Sequence, residues 1–259
     1  MPNRSWLTSL KESEGIDRLF YELASESRLS ILRALQTKNY KMQELARKLD
    51  LTDTETFRQL QRLSEAQLTS KQPDGTYTVT EYGKLILKFS HSFEFAFKFK
   101  QCLLTRNVWR IPDEFIERLG ELSNATLSIN AIEMVNNAEQ LILGTEEYLW
   151  MIGERPLSFL GAKVAEMLQK GITVRFMFDE SCRKFYENIP DVRGVIEKRV
   201  IPVIPAILII NEKFAGINIL SIDGRADNAI FYGNDSAILK WANDLFILYW
   251  EQAKHIYPT

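Results

Sequence analysis

The chain has 259 residues, more than one typical domain of roughly 100–150 residues, so a small domain plus a larger one is expected. Hydrophobic residues make up 46% and charged residues 25%, a globular mix that excludes long disorder, collagen and coiled-coil rods. With 32 Lys+Arg against 34 Asp+Glu the formal net charge is −2, which excludes coating of nucleic acid by bulk positive charge and leaves room for a small DNA-reading module with a few placed cations.

Residues 1–85 hold 13 Lys/Arg and 12 Asp/Glu, net +1, and the remainder is net −3. Any DNA binding by the first part must therefore come from local geometry. The two cysteines, Cys102 and Cys182, have no CxxC spacing. This argues against a disulfide scaffold and a zinc finger, and for a reducing, cytoplasmic compartment. His91 and His255 are the two histidines, so a His-rich metal site is not expected. The start, MPNRSWLTSLKESEG, has no apolar stretch of the kind a signal peptide needs. The longest apolar run, Ile201–Ile210, is about half of the roughly 20 residues a bilayer span requires. A soluble protein with no membrane partner is expected.

In chain order, residues 8–83 read as helices followed by a hairpin. Leu29, Ile31, Leu32 and Leu35 recur at helical spacing, with Ser25 or Ser27 as the cap. A second helix over Met42–Leu49 places Leu45 and Leu49 on one face with Ala46 beside them. In LDLTDTETFRQLQRLSEAQL, Thr52 with Glu55 three residues later is a capping box opening a third helix, with Phe57, Leu60 and Leu63 as its buried stripe. The next segment, LTSKQPDGTYTVTEYG, alternates and turns at Pro73-Asp74-Gly75, a hairpin signal. Helix, helix, turn, helix, hairpin is the order of a winged helix-turn-helix, whose third helix enters the major groove.

Residues 84–105 are rich in phenylalanine. Leu85, Phe89, Phe93 and Phe97 repeat every four residues, while Phe93, Phe95, Phe97 and Phe99 alternate as a strand would. A helix is favoured because no breaker follows the hairpin, and its wide apolar face must be covered by the second domain or by a partner copy. Trp109–Leu122 reads as a short helix opened by Pro112. From about Ala125, ILGTEEYLWMIGE, ITVRFMFD, VIEKRVIPVI, AILIIN, KFAGINILSID and AIFYG read as strands. LSFLGAKVAEMLQKG reads as an amphipathic helix ended by Gly171, and Asp235–His255 as a final helix. Strand, helix, strand argues for an α/β domain. The fold class is thus two-domain, α+β and α/β: residues 1–83 a winged helix-turn-helix, 84–124 a helical linker or dimerisation segment, 125–259 an α/β sensor domain.

ESRLSILRAL, LTDTETFRQLQRLSEAQL and KQPDGTYTVTEYGK, with WRIPDEFIERLGEL and EEYLWMIGE further on, resemble archaeal winged-helix transcriptional regulators of the ArsR/TrmB-like kind, common in methanogens. The resemblance implies a DNA-binding N-terminal domain joined to a C-terminal domain that senses a signal. One departure is Gln67, where the common pattern has Gly after the recognition helix. A left-handed residue there is strained without Gly, so the turn is expected to differ.

With Phe57, Leu60 and Leu63 inward, the opposite face carries Thr54, Glu55, Arg58, Gln59 and Arg62. Arg58 and Gln59 have the chemistry to read guanine and adenine. Arg62 lies a turn further on, suited to phosphate. Thr52, Thr54 and Thr56 can give hydroxyls to phosphates near the helix N-terminus. Lys71 is a phosphate candidate, as is Tyr77 if it points outward. The plain alternative is that Arg58 and Arg62 pair with Glu55 or Glu65 on a solvated face.

LQKGITVRFMFD and VIPAILIINEKFAGINI resemble the phospholipase D-like fold. Its enzymes use a His-x-Lys-x4-Asp motif, and Ile204, Ala206 and Asn211 stand at the aligned places here, so that chemistry is not expected. No P-loop, GxGxxG or GxSxG is present, and neither an enzyme nor a cofactor is expected. Trp150, Arg155, Arg175 and Asp179 near strand ends could form an effector pocket or simply be core and solvated charge. The reading is a sequence-specific DNA-binding regulator, a homodimer on double-stranded DNA, whose second domain answers a small-molecule effector or partner. A winged helix kept as a protein–protein adaptor is the alternative, and a phospholipase D-like enzyme a third.

Overall fold

The computed structural model describes residues 16–154, 166–167, 169–187 and 195–255. The chain divides after Ser90 into two compact units.

The first unit opens with α1 (Ile16–Leu23) and α2 (Glu26–Thr37). Ser25 caps α2, its hydroxyl accepting from the Arg28 amide. A short strand, β1 (Tyr40–Lys41), leads into α3 (Met42–Leu49) and α4 (Asp53–Glu65). Strands β2 (Thr69–Lys71) and β3 (Thr76–Val79) form the expected hairpin. Its turn is held by Gly75 at φ +83° and by the Asp74 carboxylate, which accepts from the Thr76 amide at 2.9 Å. The three strands are antiparallel in the order β1-β3-β2. Ile31, Leu32, Leu35, Leu45, Leu60, Leu63, Leu68 and Val79 fill the core between helices and sheet.

At the end of α4 the chain does turn left-handed, with Gln67 at φ +59°. The Gln67 amide bonds the Ser64 carbonyl at 3.0 Å and the Leu68 amide bonds Leu63 at 2.9 Å. Leu63 and Leu68 are both fully buried in one cluster. These are the two bonds and the apolar contact of a Schellman cap. The expected departure of the turn is thus not found: the cap tolerates Gln at a cost of roughly 1–2 kcal/mol. The Thr80 hydroxyl ties this turn to the next helix, donating to the Gln67 carbonyl at 2.6 Å and accepting from the Gly83 amide.

The Phe-rich segment is helical: α5 spans Glu81–Lys98 and α6 Lys100–Leu103. The i, i+4 row Leu85, Phe89, Phe93 and Phe97 is exposed, whereas Phe95 and Phe99 are buried.

The second unit is built on an eight-stranded sheet, order β11-β7-β6-β5-β8-β9-β10-β4. The strands are β4 (Thr126–Ser128), β5 (Tyr148–Ile152), β6 (Thr173–Phe178), β7 (Ile196–Val200), β8 (Ile207–Ile210), β9 (Ala215–Asn218), β10 (Ile230–Gly233) and β11 (Lys254–His255). β5, β6 and β7 are parallel and the other pairings antiparallel. Helix α8 (Ala131–Leu143) contributes Ala138, Leu141 and Ile142 to a core with Leu149, Val174 and Phe176. On the opposite face of the same strands, Ile152 and Met177 share a second core with the C-terminal helix, Ser236–Gln252, and with Phe95, Phe99, Phe115 and Leu122. This alternation is the period of two that a strand imposes on its two faces.

Several expectations are corrected. Trp109–Leu122 is not one helix but three short turns: Val108–Arg110, α7 (Asp113–Ile116) and Leu119–Leu122. Ile142 and Leu143 belong to α8, not to the strand that follows. The final helix ends at Gln252, before β11. Most of the helix expected over 157–170 lies outside the described residues. At its end Gly171 is left-handed, φ +74°, and the Ile172 amide bonds Met167 at 3.0 Å.

Candidate nucleic-acid interface

Helix α4 starts at Thr52, whose hydroxyl accepts from the Glu55 amide at 3.1 Å. Only this half of the expected capping box forms. The Glu55 carboxylate turns along the helix instead, accepting from Arg58 at 2.7 Å and from Gln59.

The inward face of α4 is Thr56, Gln59, Leu60 and Leu63, all buried. Phe57 is 55% exposed, contrary to the expected stripe. Hydrogen bonding explains the difference. Thr56 is fully buried because its hydroxyl has a partner, the Thr52 carbonyl at 2.9 Å. Gln59 is 5% exposed because both ends of its amide are satisfied: Arg28 donates to Oε1 at 2.9 Å, and Nε2 donates to Glu55. Buried polar groups stay buried when so paired.

The network continues beneath α4. Arg28 and Glu22, both nearly fully buried, form an ion pair at 2.9 Å. Arg28 also donates to the carbonyls of Glu22 and Tyr21 at 2.8 and 2.7 Å. Arg62 pairs with the same carboxylate through two bonds of 2.7 and 3.2 Å, and its guanidinium lies 5.0 Å from the centre of the Tyr21 ring. The Arg62 hydrogen bond, reinforced by the charge of Arg28, holds the Glu22 carboxyl below its ordinary value, against the opposing effect of burial. The same pairing raises Arg62.

The residues expected to face DNA therefore separate. Thr52, Thr54, Arg58 and Lys71 are exposed, and Arg62 is half-buried in its ion pair. Thr56, Gln59 and Tyr77 are buried. Tyr77 does not point outward; it pairs across the sheet with Tyr40 and Lys71 as part of the core. The Arg58–Glu55 pair matches the plain alternative, whereas Arg62 has Glu22, not Glu65, as its partner. Among the described residues of the first unit, Lys38, Lys41, Arg47, Lys48, Lys71 and Lys88 are exposed cations with no ion pair. Of these, sequence reading named Lys71 alone. Lys38 and Lys48 lie 4.6 and 5.7 Å from the Tyr40 ring centre, and Lys71 lies 5.9 Å from that of Tyr77, to which it pairs across β2 and β3.

In the second unit, Ile204 and Ala206 are core residues, and Asn211 is buried with its amide donating to Leu141 and Thr145 and its carbonyl accepting from Lys213 and Phe214. Asn211 thus organises a turn. Asp179 likewise caps the turn at Cys182, accepting from its amide at 3.2 Å. Trp150 stacks on Phe246 and lies 5.2 Å from the Arg175 guanidinium, which also faces Trp250 at 5.0 Å. Arg155 lies outside the described residues. Beside Trp150 an open groove of about 590 Å³ is lined by Phe115, Arg118, Tyr148, Asn243, Ile247 and Glu251, among others. The Trp150 indole N–H is buried with no hydrogen-bond partner among the described residues.

Two units, one a helical region with a small antiparallel sheet and the other a large mixed sheet, define the chain as a mixed α/β protein. Residues 16–99 match the family model described as the HVO_A0261 N-terminal domain, a similarity that runs from α1 through α5 and covers 84 of the 259 residues. The resemblance read from ESRLSILRAL to TEYGK agrees with that match. No curated protein matches the chain. Among solved structures the chain is similar to the archaeal chromatin protein TrmBL2, at 13% identity and a TM-score of 0.41, over 93% of this chain and 100% of that one. It is also similar to CalO1, a methyltransferase of calicheamicin biosynthesis, at 18% identity and 0.27, covering 76% and 66%. An O-methyltransferase family protein from Burkholderia thailandensis follows at 13% and 0.24, covering 72% and 64%.

Proposed function

We propose that the chain is a sequence-specific DNA-binding transcriptional regulator. The observation that carries this reading is the order α2, β1, α3, α4, β2, β3 with its three-stranded sheet, the topology of a winged helix, in which α4 is the recognition helix and the β2–β3 hairpin the wing. Thr54 and Arg58 on the exposed face of α4 are base-edge candidates. Thr52 and the lysines at 41 and 71 are phosphate candidates, and Arg62 joins them where phosphate competes with Glu22. Selection of bound sequences from random DNA by the full chain tests the reading. A preferred sequence whose affinity falls with salt supports it. Binding equal for all sequences, or none, refutes it.

The regulator acts as a homodimer through the exposed row of α5, since operators with two-fold symmetry need a two-fold protein. The second unit answers an effector. The groove beside Trp150 supports that part of the reading, because it joins the aromatic walls of Phe115, Tyr148 and Trp150 to the polar side chains of Arg118 and Asn243. Repeating the selection with and without a metabolite extract tests it: an unchanged preference and affinity refute effector control.

A further inference from the structure

We infer that Phe57 reads the 5-methyl group of a thymine, making it a specificity-determining residue of α4. This rests on the DNA-binding reading above.

Helix α4 holds a polar face inward and an aromatic ring outward. The inward positions 56, 59, 60 and 63 follow helical spacing, and two of them are Thr and Gln. Turning the helix to bury Phe57 would break the Arg28–Gln59 bond of 2.9 Å and pull Arg62 from its pair with Glu22 at 2.7 Å. The buried network therefore keeps the Phe57 ring in solvent. The exposed ring lies on the same solvent face of α4 as the base-edge candidates Thr54 and Arg58.

The neighbours say what that face meets. Thr54, Arg58 and Gln61 surround Phe57 within one helical turn and are all exposed. Their hydroxyl, guanidinium and amide suit the donor and acceptor edges of base pairs. The apolar group that a base pair presents in the major groove is the thymine methyl, and phenylalanine is one of the side chains that contacts it.

The test uses the full chain and its selected DNA sequence. Each thymine is replaced in turn by uracil, which keeps the base pair and removes the methyl. The wild type is expected to lose about fourfold in affinity at one or two adjacent thymines, the worth of one buried methyl group. Phe57→Leu keeps most of this discrimination. Phe57→Ala abolishes it while its circular dichroism and thermal unfolding match the wild type. The inference is overturned if the wild type binds every uracil duplex as tightly as the thymine duplex, or if Phe57→Ala still discriminates. It is also overturned if Phe57→Ala changes the mass in light scattering and leaves discrimination intact, which makes Phe57 a protein contact. A wild type with no sequence preference removes the DNA-binding reading as well. Sequence preference without methyl discrimination removes this inference alone.

Discussion

Arg28 donates to the side-chain oxygen of Gln59 at 2.9 Å, linking α2 to the middle of α4 from beneath. Because Arg28 is also paired with Glu22, and Glu22 with Arg62, helix α4 is fixed to α1 and α2 by buried charge as well as by packing. Removing one member of a buried pair leaves the other charge uncompensated. Arg28→Ala is thus expected to destabilise the first unit by about 3 kcal/mol. Chemical denaturation of the full chain, followed by a probe in α1–α4, measures it; a loss within 0.5 kcal/mol of zero contradicts the assignment.

Acid should act on the same network. Glu22 has its carboxyl held below the ordinary value of 4.5, chiefly by the Arg62 hydrogen bond. A depressed folded-state value contributes stability that is present above the unfolded value and is lost as pH falls through the folded one. Stability of the first unit should therefore fall as pH drops from about 4.5 downward. Glu22→Gln should flatten that part of the profile. An unaltered slope in the variant assigns the acid sensitivity to other carboxylates.

Gln67 sits at φ +59° in the Schellman cap of α4. Glycine adopts this conformation without the steric cost that other residues carry. Gln67→Gly should stabilise the chain by about 1 kcal/mol after the glycine's own entropy is counted. Thermal unfolding reads the gain as a rise in Tm. A fall in Tm would mean that the Gln67 side chain contributes more than its backbone costs.

DNA contacts separate by their dependence on sequence and salt. Arg58→Ala should weaken specific binding by about 1–3 kcal/mol and relax preference at one base pair. Lys71→Ala should weaken binding to all sequences alike and reduce the salt slope by about 1. A gel-shift titration at several salt concentrations distinguishes the two; an Arg58 variant with unchanged affinity and preference removes that residue from the interface.

The row Leu85, Phe89, Phe93 and Phe97 is exposed, Phe97 by 83%. If two copies meet there, Phe93→Ser with Phe97→Ser should convert a dimer to a monomer at equal concentration. Sedimentation or light scattering reports the mass. A wild type that is already monomeric at working concentration counts against the dimer.

The local elements of the first unit were legible in the sequence. The Thr52 cap, the Pro73-Asp74-Gly75 turn and the Leu60 and Leu63 positions each act through neighbours in the chain, so their signals are local. The helical character of residues 84–105 was legible for the same reason. The facing of α4 was not. Periodicity assigns Phe57 inward because it weighs only hydrophobicity, and it cannot see that Arg28 waits 31 residues upstream for Gln59. Burial of Tyr77 and the spending of Arg62 on Glu22 depend likewise on which elements become neighbours.

The same division holds for the second unit. Six strands could be read from their runs of β-branched and aromatic residues. Their order could not, because the pairing of β5 with β8 and the insertion of β5 between parallel and antiparallel neighbours are non-local. By itself, then, the sequence determined α2, α3, α4 and the hairpin of the first unit, the Thr52 cap and six strands, whose energies come from residues a few positions apart, but it did not show α8 and it joined the short turns of residues 108–122 into one helix. Only the tertiary structure decided which side chains of α4 meet solvent, because facing Phe57 inward would unpair the buried Glu22–Arg28–Arg62 network that meets Gln59, and an unpaired buried charge costs more than a single phenyl ring gains.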